Sequence, residues 1–184
     1  DSFFDHGRPT LATMLHQPAK YLREWLPRTG LQNFDLITTM CDDQTRFLGD
    51  ASAQVPAVTV HHGVDTDFFA PGEGSRAQGG PIRLLAVGQW LRDYDLAFAA
   101  LDQLAAEGLE FEYRVVSKAI DPANAPAYVT VLKGISDEEL VDEYRNCDVM
   151  FMPLAAATAN NALLEAMACG TPVVATDNGG LPEY

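Results

Sequence analysis

Short apolar runs alternate with segments of helical spacing from residue 82 to the end of the chain. Five runs have the length and composition of buried strands: residues 82–88, 111–117, 128–134, 148–154 and 172–177. Three segments between them repeat apolar residues at helical spacing: residues 94–108, 136–147 and 160–169. Strands that alternate with helices predict βαβ units and a parallel, doubly wound sheet, which places this part of the chain in the α/β class.

A similar but incomplete pattern comes before residue 70. Residues 10–16, 34–40 and 57–63 predict strands, and residues 41–50 predict a helix after the second of them. This order of elements is typical of the latter part of a Rossmann-like domain.

Residues 70–81, with the sequence APGEGSRAQGGP, separate the two patterns. The stretch is rich in Gly and Pro and has no periodicity, so it predicts a linker or long loop. We therefore predict part of a first Rossmann-like domain over residues 1–70, a linker over residues 71–81 and a second Rossmann-like domain over residues 82–184. We expect the chain to be incomplete at both ends, because each pattern lacks elements of a full α/β domain.

The charge and composition of the chain narrow the range of ligands and locations. A net charge of −14 argues against a nucleic-acid binder, which needs a basic face. The longest apolar runs are shorter than the ~20 residues that span a bilayer, and the first ten residues do not resemble a signal peptide. The three cysteines show no CxxC spacing, so we expect them to be reduced and near the core. Together these features favour a cytoplasmic protein.

Residues at the carboxyl ends of the predicted strands, and just after them, are expected to meet at one edge of the sheet. Ligands of an open parallel sheet bind beyond the carboxyl ends of its strands. Basic side chains, glycine turns and polar residues occur at these positions: Gly88, Gln89, Arg92, Ser117, Lys118, Lys133, Gly134, Thr176, Asp177 and Asn178. The predicted helix at residues 160–169 also begins at this edge. Loop amides and helix N-termini bind phosphate well, so the sequence predicts an anion site here.

The predicted helix at residues 160–169 carries one carboxylate among apolar residues. Thr158, Asn161 and Glu165 are three and four residues apart, so we expect them to share one face, with apolar residues that include Met167 covering the rest. An unpaired buried charge costs several kcal/mol, so Glu165 needs a hydroxyl, an amide or a cation as its partner. The carboxylate therefore either belongs to a polar stripe that reaches a ligand or locks the fold.

Two further charged residues of this region have alternative explanations. Arg92 either binds phosphate or forms an ion pair with Asp93 or Asp95 at the start of a helix. Lys118 is a weaker phosphate candidate than Arg92.

Turn chemistry explains other polar residues better than catalysis or metal binding does. Asp65 is predicted to cap the turn GVDTDFF. His61 and His62 are adjacent on a predicted strand and point to opposite faces, so they cannot chelate a metal together. The Asn-Gly-Gly sequence at residues 178–180 predicts a turn with positive φ.

Four segments, in consistent order, resemble one protein family. The sequence NNALLEAMACGTPVVATDNGGLPEY closely resembles the signature of the group 1 (family 4) retaining glycosyltransferases, which have the GT-B fold. The sequences VTVHHGVDTDFFAP, LLAVGQWLRDYDLAFAAL and VTVLKGISDEELVDEYRNCDVMFMPL resemble three other parts of the same family. The resemblance extends over roughly residues 10 to 184.

The resemblance implies two Rossmann-like domains that face each other across a cleft. A nucleoside-diphosphate sugar would bind mainly to the second domain, and its sugar would pass, with retention and without a metal, to a hydroxyl group. The acceptor would be a glycan, a lipid-linked molecule or a small molecule. No cofactor other than the donor is implied, and any peripheral membrane contact would belong to the missing part of the first domain.

The resemblance also assigns residues to the donor. Donor contacts would come from twelve residues: Gly88, Gln89, Arg92, Lys118, Gly134, Ile135, Thr158, Asn160, Asn161, Ala162, Leu163 and Glu165. Among them, Glu165 would bind the ribose hydroxyls, the amides from Asn160 to Leu163 the diphosphate or sugar, and the backbone at Gly134 and Ile135 the base. His16 would be a catalytic residue that faces the donor sugar from the first domain.

The sequence departs from the family pattern at two places in the predicted site. The first glutamate of the family's pair would stand eight residues before Glu165, where this chain has Ala157. The Arg and Lys of many members are replaced by Gln89 and Tyr94, with Arg92 available between them. Two alternatives to a transferase therefore stay open: a non-catalytic nucleotide-sugar-binding or scaffold protein, and another GT-B enzyme such as a nucleotide-sugar epimerase.

Overall fold

A computed structural model describes residues 33–51, 55–73 and 80–184 of the chain. These residues form two compact units. The first unit contains the described residues up to His62 together with Ala156–Ala159 and Asp177–Tyr184, and the second contains Gly63–Ala155 and Asn160–Thr176. The predicted strand at residues 10–16 lies outside the described residues. The domain boundaries expected from the sequence stay predictions.

The first unit contains a short parallel strand pair and one helix. Its elements are β1 (Ile37–Thr39), α1 (Asp42–Ala51) and β2 (Ala57–Thr59). Both strands lie within the regions predicted for them, and α1 ends one residue beyond its predicted region. The last residues of the chain pack on this unit, because the Tyr184 hydroxyl donates to the Met40 carbonyl oxygen at 2.8 Å.

The second unit is a five-stranded parallel sheet with helices in its connections. Its elements are β3 (Ile82–Val87), α2 (Tyr94–Ala106), β4 (Phe111–Val116), β5 (Val129–Leu132), α3 (Asp137–Asn146), β6 (Val149–Met152), α4 (Asn161–Ala168) and β7 (Val173–Ala175). The strand order is β5-β4-β3-β6-β7, and every neighbouring pair is parallel. The α/β fold with parallel sheets predicted from the apolar runs is confirmed.

The direction of strand addition reverses between β3 and β6. The chain builds outwards from β3 through β4 to β5, then returns to the other side of β3 with β6 and β7. Ligands of doubly wound folds bind outside the carboxyl ends of the strands at such a switch point. In this unit the switch point lies between the loop after β3 and the loop after β6.

Strand β3 is buried because helices cover both faces of the sheet. Leu84, Leu85, Ala86 and Val87 are all buried, as expected for the central strand of a doubly wound sheet. One cluster packs residues of β3 and β4 against α2: Leu84, Ala86, Ala97, Leu101, Tyr113, Val115 and Ile120. All three cysteines are buried and form no disulfide, in agreement with the sequence analysis.

Helix starts in the second unit use the capping chemistry that the sequence indicates. Ser136 accepts a hydrogen bond from the Glu139 amide at 3.2 Å, and the Glu139 carboxylate accepts one from the Ser136 amide at 2.7 Å. This reciprocal pair is the predicted capping box of α3. Within the described ranges, no helix has both the length and the apolar character needed to cross a membrane.

Candidate functional site

Two loops at the switch point are held together by main-chain hydrogen bonds. The Asp93 amide donates to the Pro153 carbonyl oxygen at 3.0 Å, and the Ala155 amide donates to the Leu91 carbonyl oxygen at 2.9 Å. Leu91 has a φ of 57°, in the left-handed region that side chains with a Cβ rarely adopt. The loop after β3 is therefore fixed against the loop after β6.

Arg92 belongs to the loop after β3, and its guanidinium binds three oxygen atoms. Its Nε donates to the Val87 carbonyl oxygen at 2.8 Å, Nη1 to the Trp90 carbonyl oxygen at 3.0 Å, and Nη2 to Asn160 Oδ1 at 3.4 Å. A guanidinium has five N–H donors, so one on each terminal nitrogen has no partner among the described residues. Burial lowers the pKa of Arg92, but a guanidinium stays protonated in proteins.

The ion pair that the sequence offered as one explanation of Arg92 does not form. No carboxylate lies within ion-pair distance of Arg92 in the part of the chain that the structure describes. Asp93 instead caps α2, where its Oδ1 accepts from the Leu96 amide at 2.9 Å, and Asp95 is exposed in the first turn of that helix. Asp93 forms this capping bond rather than an ion pair with Arg92, because the N-terminal amides of α2 need an acceptor. Arg92 is thus a partly buried cation beside neutral oxygens.

Gly88 ends β3 directly beside the guanidinium. It has a φ of 99°, and a Cβ at this position would lie 2.8 Å from Arg92 Nη2. The Tyr94 hydroxyl donates to the Gly88 carbonyl oxygen, which fixes the turn from the other side. Only a glycine combines this φ with the space that Arg92 occupies. The role of Tyr94 was missed from the sequence, where it is notable only as a replacement for Lys.

Helix α4 begins next to Arg92. Asn160 is buried and is the N-cap residue, and its Oδ1 accepts from the Leu163 amide at 3.3 Å as well as from Arg92. The first N–H groups of a helix have no intrahelical partner, so the amides of Asn161 and Ala162 are left at this end. The helix dipole adds partial positive charge at the same place. Positive charge and N–H donors therefore lie close together at the N-terminus of α4.

Two expectations about α4 are wrong. Thr158 lies two residues before the N-cap and belongs to the first unit, so helical spacing does not align it with Asn161 and Glu165. Met167 is not part of the buried apolar surface of the helix, because it is 48% exposed.

Glu165 has a tyrosine hydroxyl as its partner. The Tyr144 hydroxyl of α3 donates to Glu165 Oε2 at 2.7 Å, and the Glu165 side chain is half-buried. Burial raises the pKa of Tyr144, and the carboxylate raises it further. The sequence analysis predicted a hydroxyl, amide or cation but did not identify Tyr144. The available signal was the three-residue spacing of Val141 and Tyr144, which puts both on the core-facing side of α3.

The other predicted donor residues lie around the ends of the neighbouring strands. Gln89, Lys118 and Gly134 are exposed, Gly134 with a φ of 68°, and Ile135 is half-buried. No hydrogen bond among the described residues joins these four to Arg92, Asn160 or Glu165. Ala162 and Leu163 are buried, Asn161 is exposed, and His16 lies outside the described residues.

The turn predictions agree with the structure. Asp65 Oδ1 accepts from the amides of Asp67 at 3.0 Å and Phe68 at 3.1 Å, so it caps its turn. In the first unit, Gly179 has a φ of 56°, and the Gly180 amide donates to the Ala157 carbonyl oxygen at 3.3 Å. The Gly-Gly turn therefore packs tightly on the backbone of the alanine-rich loop.

Known sequences are similar to the chain over most of its length. Residues 81–184 match the family model of "Glycosyl transferases group 1". A D-inositol 3-phosphate glycosyltransferase from Mycobacteroides abscessus is 32% identical over 142 residues, 67% of this chain and 32% of that protein. Another from Pseudarthrobacter chlorophenolicus is 37% identical over 126 residues, 65% of this chain and 29% of that protein. The chain thus matches about a third of the length of these curated relatives.

Solved structures share the fold. The sucrose-phosphate synthase of Thermosynechococcus elongatus has a TM-score of 0.70 and 23% identity, covering 84% of this chain and 43% of that one. The pneumococcal O-GlcNAc transferase GtfA, solved with UDP and GlcNAc, has a TM-score of 0.63 and 17% identity, covering 86% of this chain and 33% of that one. These structures are GT-B glycosyltransferases, so the fold type implied by the sequence resemblance is confirmed.

Proposed function

Since the chain belongs to the group 1 glycosyl transferases, we propose that it binds a nucleoside-diphosphate sugar for transfer of the sugar to an acceptor hydroxyl. The transfer would retain the anomeric configuration and need no metal ion. The second unit would hold the nucleotide part of the donor. The acceptor would be a glycan, a lipid-linked molecule or a small molecule, and D-inositol 3-phosphate enters as a candidate because curated relatives are named for it.

The observation that carries the proposal is the position of Arg92. The guanidinium lies at the switch point of a doubly wound sheet, where such folds bind ligands. It has no acidic partner among the described residues, yet it is partly buried, and a desolvated charge favours a ligand of opposite sign. Its two remaining N–H groups, one on each terminal nitrogen, match the oxygens of a phosphate. These features support Arg92 as a ligand of the donor's diphosphate.

The start of α4 would supply the second half of a diphosphate site. The amides of Asn161 and Ala162 are donors at a helix N-terminus, and Asn160 links that terminus to Arg92 at 3.4 Å. A strongly acidic chain, with a net charge of −14, needs such local donors to hold an anion. In the reaction they would stabilise the leaving diphosphate, which is the role a metal ion has in other enzymes.

Glu165 would bind the ribose of the donor. A carboxylate has about four acceptor positions, and Tyr144 occupies one of them. The others can accept hydrogen bonds from a vicinal diol, which is the polar group that a ribose presents. Arg92 near the N-terminus of α4 and Glu165 one turn further along it would then bind the phosphate and ribose parts of one nucleotide.

The bond changes of the proposed transfer balance within the donor and acceptor. The bond from the anomeric carbon to the diphosphate oxygen breaks, and the acceptor oxygen bonds to that carbon from the same face. The acceptor proton passes to the leaving phosphate oxygen. By the family resemblance, His16 would face the sugar during this step.

Calorimetric titration with UDP, GDP and ADP tests the proposal at the level of binding. We expect at least one of them to bind, and Glu165→Gln to weaken that binding more than tenfold, since hydrogen bonds to a charged group contribute about 1.5–3 kcal/mol. Sugar transfer from the matching donor would then be measured with and without EDTA. Absence of binding by all three nucleotides would contradict the proposal.

A non-catalytic donor-binding protein is the second candidate, and Ala157 favours it. Alanine stands where the family resemblance places a carboxylate near the transferred sugar, and no charged residue lies in the loop from Pro153 to Asn160. Donor binding without sugar transfer to any acceptor would support this candidate. Release of free nucleotide without dependence on an acceptor would instead favour an epimerase-like reaction.

A further inference from the structure

Tyr144 is fixed in the core of the second unit from several sides. Its side chain is fully buried. Its carbonyl oxygen accepts from Thr171 Oγ1 at 2.6 Å, and its ring meets the Phe69 ring edge-on with centroids 6.1 Å apart. These contacts leave the hydroxyl little freedom, so the hydroxyl defines where its acceptor, Glu165, must lie.

The hydroxyl is a donor throughout the physiological pH range. A phenol ordinarily loses its proton near pH 10. Burial and the Glu165 carboxylate both raise the pKa of Tyr144 above that value. Tyr144 therefore donates, and Oε2 of Glu165 accepts, at 2.7 Å.

The neutral Tyr144 hydroxyl binds the Glu165 carboxylate without neutralising its charge. No cation forms an ion pair with Glu165 among the described residues, and Tyr144 is the hydrogen-bond donor that the described chain gives it. A lysine or arginine in the same place would neutralise the carboxylate, and an arginine would also occupy both oxygens. With Tyr144, Oε1 and one lone pair of Oε2 remain available, on a side chain that is half-buried rather than sealed.

We propose that Tyr144 is a positioning residue for nucleotide recognition: its hydroxyl holds Glu165 Oε2 so that the rest of the carboxylate faces the ribose diol. This inference rests on the proposed function. Without the hydroxyl, the carboxylate can turn about its side-chain torsions, and its hydrogen bonds to the two ribose hydroxyls weaken. Tyr144 would thus act through Glu165 on the discrimination between ribonucleotides and deoxyribonucleotides.

The test measures that discrimination as a ratio of dissociation constants. Calorimetry would compare UDP with 2′-deoxy-UDP, or the corresponding pair for whichever base binds, on the wild type, Tyr144→Phe, Glu165→Gln and the double variant. We expect the wild type to favour the ribonucleotide by at least about fivefold, and both single variants to reduce this preference. The double variant is expected to be no worse than Glu165→Gln, because Tyr144 acts through that carboxylate.

Tyr113→Phe is the matched control. Tyr113 is also fully buried in the second unit, and its hydroxyl donates to a main-chain carbonyl, that of Phe151, at 3.0 Å. Its loss removes a buried tyrosine hydroxyl bond without touching Glu165. We expect Tyr113→Phe to lower stability but to leave the preference for the ribonucleotide unchanged.

Three outcomes would overturn the inference and can be told apart. A preference unchanged in Tyr144→Phe but reduced in Glu165→Gln would make Tyr144 a purely structural residue and leave the proposed function intact. A preference unchanged in both variants would remove Glu165 from ribose binding. No binding of any nucleoside diphosphate by the wild type would overturn the proposed function together with the inference.

A second variant covers the case in which Tyr144→Phe does not fold. Replacement of Tyr144 by 4-aminophenylalanine keeps the ring and a weaker N–H donor at nearly the same position. We expect this variant to show a ribonucleotide preference below that of the wild type. A preference equal to the wild-type value would count against a role for the hydroxyl.

Discussion

Arg92 shows how much of one side chain's role the sequence can reveal. Its place after a strand predicted a ligand edge, and its neighbours Asp93 and Asp95 suggested an ion pair instead. The structure excludes the ion pair, because Asp93 caps α2 and the guanidinium binds neutral oxygens. The partner Asn160 is 68 residues away in the chain, so no local pattern could have identified it.

Arg92→Gln is expected to weaken nucleoside-diphosphate binding by about tenfold or more, because charge-assisted bidentate bonds to phosphate are lost. Binding of the nucleoside without phosphates should hardly change. Arg83→Gln is the matched control, since Arg83 lies near the opposite end of β3 and is 3.8 Å from Asp148. Calorimetry on both variants measures the difference. Equal losses for the two variants would remove Arg92 from the diphosphate site.

Glu165 and Tyr144 show the limit of pattern reasoning. The need for a partner followed from one carboxylate on an apolar helix, and the hydroxyl found is one of the three partner types that stayed open. Its identity depends on how α3 packs against α4, and the two residues are 21 positions apart. Such a pairing becomes visible only when the helices are placed in three dimensions.

The strands and helices could be predicted almost completely. Apolar runs and helical spacing locate every strand and α-helix of the second unit, and the capping box fixes the start of α3. The predicted start of α4 at residue 160 lies one residue before the observed first helical residue, Asn161. Thr158, Asn160 and Asn161 are all acceptable near a helix N-terminus, so the sequence did not separate Thr158 from the helix. The error was to place Thr158 on the same helical face as Asn161 and Glu165, although the helix does not extend back to residue 158.

The N-cap residues of α3 and α4 allow a prediction that separates stability from binding. Ser136→Ala and Asn160→Ala each remove an N-cap and should each lower the free energy of unfolding by about 1 kcal/mol. Only Asn160→Ala also removes an acceptor of Arg92, so only this variant should weaken nucleotide binding. Urea denaturation and calorimetry give the two quantities. Equal nucleotide affinity in both variants would show that Asn160 serves α4 alone.

The stability of the second unit should decrease at alkaline pH. Burial raises the pKa of four described tyrosines: Tyr94, Tyr113, Tyr128 and Tyr144. The folded state keeps these protons above about pH 10, whereas the unfolded chain releases them near that value. The free energy of unfolding should therefore be independent of these groups below about pH 10 and fall as the pH rises further.

Urea denaturation between about pH 8 and about pH 11 measures this fall. Absorbance at the tyrosinate band serves as a control, since the fully buried Tyr113 and Tyr144 should ionise only as the protein unfolds. A free energy of unfolding that stays constant to the upper limit would mean that these tyrosines ionise in the folded state.

A co-crystal structure with the tightest-binding nucleoside diphosphate tests the central assignment most directly. We predict phosphate oxygens on the Arg92 guanidinium and on the amides of Asn161 and Ala162, with the ribose hydroxyls on Glu165 while Tyr144 keeps its bond to Oε2. A nucleotide bound away from Arg92, or a ribose that makes no contact with Glu165, would contradict it.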